Sequence, residues 1–391
     1  MRRHGSAKIE RCVYSAVVAA WDVIVIGGGP AGLAAAHAAA SAGATTLVLE
    51  KAEHPRYKTC GGGLIGPTLS AIPSGVRVPA RDHIYQATFT RDGRREFTRM
   101  AGDDAIVAMV RREEFDLALC EAAISAGAKV RQHSTVRAIE QDPGGRSDVL
   151  VRLADGEQLT ATAVIGADGS SGFTSRYVGV HYDQVDLGLE VELPVTEALR
   201  RQWRGRLLID WGPLPGSYGW VFPKDDRLTV GVIAERGQGE QTKRYLRDFV
   251  NRLGLSGIEP AHDSGHLTRC RAESSPLRRG RVVVAGDAAG FLEPWTREGI
   301  SYALRSGTIA GTIAASGELD GYPEEVTGTL SPSMRAGRRL LGAFQRHPGL
   351  FHTMLHTQPG WRAFAKFCRG ELAFDAVMDR GVVRLGLAVL G

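Results

Sequence analysis

Cysteine is scarce in this chain. Five residues, Cys12, Cys60, Cys120, Cys270 and Cys368, are scattered over 391 positions, and no CxxC pair or Cys/His cluster has zinc-ligand spacing. A disulfide framework is therefore excluded, no metal site is expected, and free thiols in a reducing cytoplasm are. Long apolar runs are missing too. A bilayer span needs roughly 20 apolar residues. The stretch CVYSAVVAAW is shorter, and no clear cleavage site follows it. Residues 1–20 accordingly read as a loose extension. An excess of one charge is also lacking: 48 Lys+Arg against 43 Asp+Glu leave +5, widely spread. That gives no footprint for nucleic acid. It fits ordinary solubility, and also an anionic substrate or membrane surface. There is no internal repeat and no low-complexity linker. With 43% hydrophobic residues, the chain has enough material for a sizeable core and more than one lobe.

What is present begins with WDVIVIGGGPAGLAAAHAAASAGATTLVLEK. Residues 22–26 read as a buried strand, the glycines as a turn, and the Ala-rich run to about Ala42 as a helix stopped by Gly43. TTLVLE is the next parallel strand. Phe115, Leu119 and Ala122 or Ala123 recur at helical spacing before Gly127 and a strand at 129–132. ATAVIGADGSSGFTSR and RVVVAGDAAG each run from a strand into a turn. Between them the texture changes: GLGLEVELPV, GRLLIDWG and YGWVFPKDDRLTVGVIAE alternate and are broken by Gly and Pro, as antiparallel strands are. HIYQATFTRDGRREFTRM reads as a hairpin turning at Asp92-Gly93, able to join the same sheet. After Gly317 the chain is helical and Arg-rich. The expected fold is α/β at the dinucleotide-binding end and α+β overall: a Rossmann-like domain at 21–80, 103–180 and 276–330, a β-rich substrate domain at 81–102 and 181–275, and a helical region at 331–391.

Gly27, Gly29 and Gly32 form GxGxxG after a strand and before a helix that begins Pro30-Ala31, and Glu50 ends the following strand. The glycines admit a pyrophosphate, and the helix N-terminus supplies amide donors. Glu50 is placed to accept from a ribose hydroxyl and to repel a 2′-phosphate, which favours FAD or NAD over NADP. The far end of the chain favours FAD. Asp287, after Gly286, stands at a strand end where an acid reaches ribityl hydroxyls. Gly299 and Ile300 can bring amides to the flavin edge where negative charge develops.

The motifs GGGPAG, PRYKTCGGGL, VRREEFD, GADGSSGFTSR and GDAAGFLEPWTREGI recur in order over some 300 residues. Together they resemble the FAD-dependent group that includes aromatic hydroxylases, flavin halogenases, lycopene cyclases and geranylgeranyl reductases. The resemblance implies that Arg112 contacts the FAD ribose or pyrophosphate, that Asp168 and Gly169 close a turn near the pyrophosphate, and that Asp287 holds the ribityl chain. Lys51, Val136, Gly61 and Gly62 join the expected cofactor set. PRYKTCGGGL and SYGWVFP resemble the geranylgeranyl reductase pattern in particular. On that pattern Cys60 lies near the flavin, as a proton donor, a group that tunes the flavin, or a small packed residue. Tyr218, Trp220 and Phe222 share one strand face and form a prenyl-binding wall. Cys60, Tyr218 and Trp220 are the catalytic candidates.

The expected activity is therefore hydride transfer from reduced FAD to C=C bonds of a geranylgeranyl or related polyprenyl group, on a small molecule or a lipid. Arg56 and Lys58 are open to three readings: a diphosphate site, the flavin, or plain surface charge. No second GxGxxG exists for a nicotinamide, so NAD(P)H or ferredoxin would supply electrons transiently. The apolar run 381–391 is either a packed terminal helix or a peripheral membrane contact. Rival readings are a monooxygenase, a lycopene-cyclase-like protein without net redox change, and a flavin binder without turnover. A halogenase would need Trp at Tyr218 and Ile at Phe222. One departure stands out. The resemblance implies PLTGEGI where this chain has PWTREGI, with Trp295 in place of Leu and Arg297 in place of Gly, so Pro294, Trp295 and Arg297 are expected beside the substrate. Arg297 either enters the pocket or points to solvent.

Overall fold

The computed structural model describes residues 20–142, 144–145, 147–373 and 375. The expectations for residues 1–19 and 381–391 lie outside these. The chain begins with β1 (Ala20–Ile26), α1 (Pro30–Ser41) and β2 (Thr46–Leu49), then β3 (Gly63–Leu64), α2 (Gly66–Ser70) and β4 (Ala80–Ile84). The strands β5 (Gln86–Arg91) and β6 (Arg94–Met100) form a hairpin. They are followed by β7 (Val107–Val110), α3 (Arg112–Ser125), β8 (Lys129–Arg131), β9 (Val136–Glu140), β10 (Val149–Leu153), β11 (Gln158–Gly166) and α4 (Phe173–Val178). The middle of the chain holds β12 (Tyr182–Pro194), α5 (Glu197–Trp203), β13 (Arg206–Trp211), β14 (Tyr218–Pro223), β15 (Arg227–Glu235), α6 (Gly239–Arg252) and β16 (His262–Arg271). It closes with β17 (Arg278–Arg279), β18 (Val282–Val284), α7 (Ile300–Ser316), α8 (Tyr322–Arg346), α9 (Pro348–His356) and α10 (Gln358–Cys368).

Two large sheets result. In the first, β18, β11, β1, β2 and β8 are parallel neighbours in that order. Their residues are apolar without alternation because helices or other elements cover both faces: Val23 to Ile26 and all of β2 and β18 are buried. On one side α1 and α7 pack backbone to backbone. A Cβ at Gly307 or Gly311 would stand 2.1 Å from the carbonyl oxygen of Ala31 or Ala35. The second sheet runs β16-β12-β15-β14-β13-β5-β6, antiparallel except between β13 and β5. The hairpin turns at Asp92 (φ 50°) and Gly93 (φ 68°), both left-handed as a two-residue turn of this kind requires. His83 and Ile84, read with that hairpin from the sequence, instead end β4. That strand pairs with β7, whose other edge pairs with β3, in a separate three-stranded sheet. One face of the second sheet packs on Tyr245, Leu246 and Phe249 of α6, through Val221, Val230 and Val232. The other face looks across at the glycine turn of the first sheet. Among the described residues no helix is long and apolar enough to cross a membrane.

The α1–α7 contact leaves no room for a side chain. Gly311→Ala is expected to cost about 1–3 kcal/mol through overpacking, read as a lowered denaturant midpoint with an unchanged m-value.

Candidate active site

A single cavity of about 870 Å³ runs from the glycine turn to the aromatic face of β14. At its first end Gly27 takes φ 108°, and a Cβ there would lie 2.3 Å from the carbonyl oxygen of Ala167. No side chain caps α1 at Gly29, and Pro30 opens the helix, so the first-turn amides are left for an anion. Glu50 is buried. Its carboxylate accepts from the Gly28 N–H (2.6 Å) and the Ala52 N–H (2.9 Å). Arg56 donates to the Gly28 carbonyl (3.3 Å) and pairs with Glu50 and Asp116. It is therefore part of the dinucleotide end rather than a plain surface charge. Arg112 is held in a fork by Asp116, one helical turn on, at 2.8 and 2.9 Å. Asp168 accepts from the Thr174 amide (3.1 Å), and burial pushes its carboxyl up. Gly169 follows with φ 82°.

Asp287 faces His266 Nε2 at 3.8 Å. Burial works against its ionisation, but His266, Lys58 and Arg112 outweigh burial and hold it below the usual carboxylate range. Burial and the nearby Arg112 lower the Lys58 ammonium. These groups fit a flavin dinucleotide: an uncapped helix start with a glycine cradle, two cations, and an ionised acid further along. Lys51, Val136, Gly299 and Ile300 also line the wall. Gly32 and Gly286 stand behind it. A Cβ at the first would meet the Gly27 carbonyl oxygen at 1.9 Å, and at the second the Ala31 side chain at 2.7 Å. They set the approach of helix to turn.

The other end joins the two motifs that were read separately from the sequence. Phe222 lies against Gly61, where a Cβ would be 2.9 Å from its ring, and a Cβ at Gly62 (φ 72°) would stand 2.2 Å from the Val110 carbonyl oxygen. These two glycines are thus required by protein packing. Tyr218, Trp220 and Phe222 share the cavity face of β14, and Trp220 covers Gly231 of the next strand. Leu207, Ile209 and Trp211 of β13, Phe89 of β5, and Phe364 and Phe367 of α10 complete an apolar chamber. Cys60 lines the boundary between the two ends. Its sulfur accepts from the Gly62 N–H at 3.4 Å.

Arg297 does not point to solvent. Its side chain is 4% exposed, pairs with Asp186 at 3.1 Å, donates to the Trp295 carbonyl (2.7 Å) and lies over the Tyr218 ring at 5.7 Å. Its φ is 57°, the left-handed region that explains a preference for Gly at this position. The Tyr218 hydroxyl donates to the Thr296 carbonyl, and burial pushes that phenol up. Trp295 lines the cavity and packs on Phe344 and Phe351. Pro294 is buried behind the wall, its carbonyl accepting from Gln184 at 2.9 Å. Glu298 lines the wall and accepts from Ser301 N (2.7 Å) and Thr68 Oγ1 (3.3 Å), and burial pushes its carboxyl up to about 7.

Several residues escaped the sequence reading. Asp186, Glu190 and Glu192 of β12 are all buried, and Lys224 directly follows the aromatic strand and is 1% exposed. Their alternation along β12 was the available signal. Phe364 and Phe367 gave none, because only the packing of α10 turns them inward.

A family model described as FAD binding domain matches residues 20–315. Digeranylgeranylglycerophospholipid reductase of Methanocaldococcus jannaschii is 30% identical over 319 residues, covering 78% of this chain and 80% of its own. Geranylgeranyl diphosphate reductase of Rhodobacter capsulatus is 32% identical over 324 residues, 78% of each. Among solved structures, a geranylgeranyl bacteriochlorophyll reductase-like protein of Thermoplasma acidophilum superposes with a TM-score of 0.78. Its identity is 20%, and the match covers 96% of this chain and all of that one. At that identity the structural likeness speaks for the fold.

Two expectations follow from the loop. Asp186→Ala leaves Arg297 buried without its anion and should destabilise the chain by about 3–5 kcal/mol. Arg297→Gly should cost less, because removing the left-handed strain returns about 1–2 kcal/mol. Chemical unfolding of both variants checks the order. The second concerns pH. The folded Glu298 carboxyl keeps its proton to about 7, whereas its ordinary value is 4.5. The folded state therefore binds more protons than the unfolded one across that interval, and stability falls as pH rises through it. Glu298→Gln should flatten this segment of the stability–pH curve of the FAD-free chain.

Proposed function

The chain belongs to the geranylgeranyl reductase family of FAD-dependent oxidoreductases, and on that premise we propose that it saturates C=C bonds of a geranylgeranyl or related polyprenyl group. The observation that carries this reading is the continuity of the cavity. The dinucleotide end opens directly into a chamber walled by Phe89, Trp211, Tyr218, Trp220, Phe222 and Trp295. A polyisoprenoid offers only methyl and alkene surface, and such walls suit it.

When bound, reduced FAD supplies a hydride. The protein has three tasks around that chemistry. Gly27, Gly29, Glu50, Arg112, Asp168 and Asp287 hold the dinucleotide. The aromatic face of β14, with Trp295, orients the alkene and excludes water from it. Cys60, at the junction, is the candidate to deliver the proton that the second alkene carbon needs, or to tune the flavin. The prenyl group is carried by a small molecule or a lipid, and the external reductant is NAD(P)H or a ferredoxin-type carrier. The relatives named above act on prenyl groups with different attachments, a diphosphate and a glycerophospholipid. Lys58, like Lys51 and Arg176, lines the cavity outside the Arg56 and Arg112 ion pairs, but its neighbours Asp287 and Arg112 belong to the flavin end.

Anaerobic incubation of the dithionite-reduced holoenzyme with geranylgeranyl diphosphate or a digeranylgeranyl glycerophospholipid is expected to give products heavier by about 2 Da per reduced bond. Unchanged mass with every prenyl compound, together with a gain of about 16 Da under oxygen, would mean a monooxygenase instead.

A further inference from the structure

The residue on which the proposed chemistry turns, Cys60, is gripped from both sides of its peptide. On one side, Glu190 Oε1 of β12 accepts from the Cys60 N–H at 2.7 Å. On the other, Lys224 Nζ donates to the Cys60 carbonyl at 3.1 Å and to Glu192 Oε1 at 3.0 Å. Glu190, Glu192 and Lys224 are at most 2% exposed. The carboxylate of Glu192 is further anchored by Arg227 (3.2 Å) and Thr229 (3.3 Å). Glu190 also accepts from Tyr57 Oη at 3.2 Å, and that hydroxyl meets Ser264 of β16 at 2.9 Å. Apart from Tyr57, these partners lie on strands of the second sheet or, for Lys224, in the turn joining β14 to β15, whereas Cys60 sits in the loop that leaves the first.

The chemistry of the grip is specific. A buried ammonium is costly to desolvate, and an apolar chain of the same length would fill the volume at less expense. The Lys224 stem does fill space, since its Cε would be 3.1 Å from a Cβ at Gly62. Its ammonium adds a second acceptor beyond Glu192, and that acceptor is the Cys60 carbonyl. With the N–H and C=O of one residue both engaged, the Cys60 Cα–Cβ bond is fixed in direction, and the Gly62 N–H, 3.4 Å from the sulfur, holds the thiol in the cavity wall that Cys60 lines.

We infer that Lys224 and Glu190 are positioning residues, which fix the Cys60 thiol at the junction of the dinucleotide and apolar chambers by clamping its peptide to the second sheet. For its catalytic consequence this rests on the reductase reading above. For its structural content it does not.

The test uses the FAD-loaded full chain with Lys224→Met, Lys224→Arg and Glu190→Gln. The first readout is the rate of Cys60 alkylation by iodoacetamide, mapped by peptide mass spectrometry. The buried Cys120, Cys270 and Cys368 serve as internal reporters of unfolding. Release of the clamp should speed Cys60 alkylation at least fivefold in Lys224→Met while the buried thiols stay unreactive, with Lys224→Arg recovering part of the protection. The second readout is turnover: kcat for the prenyl substrate should fall at least tenfold with KM changed less than threefold. Alkylation of Cys60 within twofold of wild type in both Lys224→Met and Glu190→Gln, or an unchanged kcat, would overturn the inference. If Lys224→Met exposes the buried thiols, the alkylation rate of Glu190→Gln decides. A wild-type enzyme that reduces no prenyl compound would overturn the reductase reading, and the alkylation arm would still judge the clamp.

Discussion

Three carboxylates on one face of β12, Asp186, Glu190 and Glu192, are buried within 2% of full enclosure. Groups of that kind cannot stay in a low-dielectric interior without partners. Each partner comes from a different part of the site: Arg297 from the loop before α7, the Cys60 amide from the glycine loop, and Lys224 from the end of β14. The second sheet is thereby tied to both loops that border the cavity. Burial pushes the Glu190 carboxyl up, opposed by Lys224 and the Cys60 amide. Glu192, enclosed as well, is held below its usual range because Lys224 and Arg227 outweigh the burial. One strand therefore carries two acids of opposite tendency, side by side.

The same logic accounts for the departure at Arg297. A residue there must adopt a left-handed backbone, which costs an L side chain energy. The chain accepts that cost where a guanidinium gains a buried carboxylate, a carbonyl and an aromatic face at once. The result holds Trp295 and Tyr218 together on the chamber wall. This part of the chamber wall is then held by a loop pinned electrostatically, rather than by apolar packing alone.

Much of the dinucleotide end was legible from local pattern. Gly27 and Gly29 announce themselves by the GxGxxG spacing, and Glu50 and Asp287 by their place at strand ends, although the backbone that Gly27 approaches is that of Ala167, far along the chain. The aromatic face of β14 was legible too, since period-two alternation is enough to put Tyr218, Trp220 and Phe222 on one side. The reason for Gly61 was not. The resemblance implied close approach of a flavin, whereas Phe222, some 160 residues on, occupies the space a side chain would need.

What the sequence by itself determined is the first strand–turn–helix–strand unit and its glycine turn, because these depend on contacts within a few residues or on a strict period. Only the tertiary structure decided which face of β12 is the inside. Acidic residues at alternate positions in DLGLEVE would ordinarily mark a solvated face. Here that face is enclosed, because cations and an amide from distant segments converge on it. It also decided that Arg297 turns inward, that Pro294 stands behind the wall, and that Lys224 reaches back to Cys60. Those outcomes rest on pairings between residues 32 to 164 positions apart, and such pairings exist only once distant segments have been folded together.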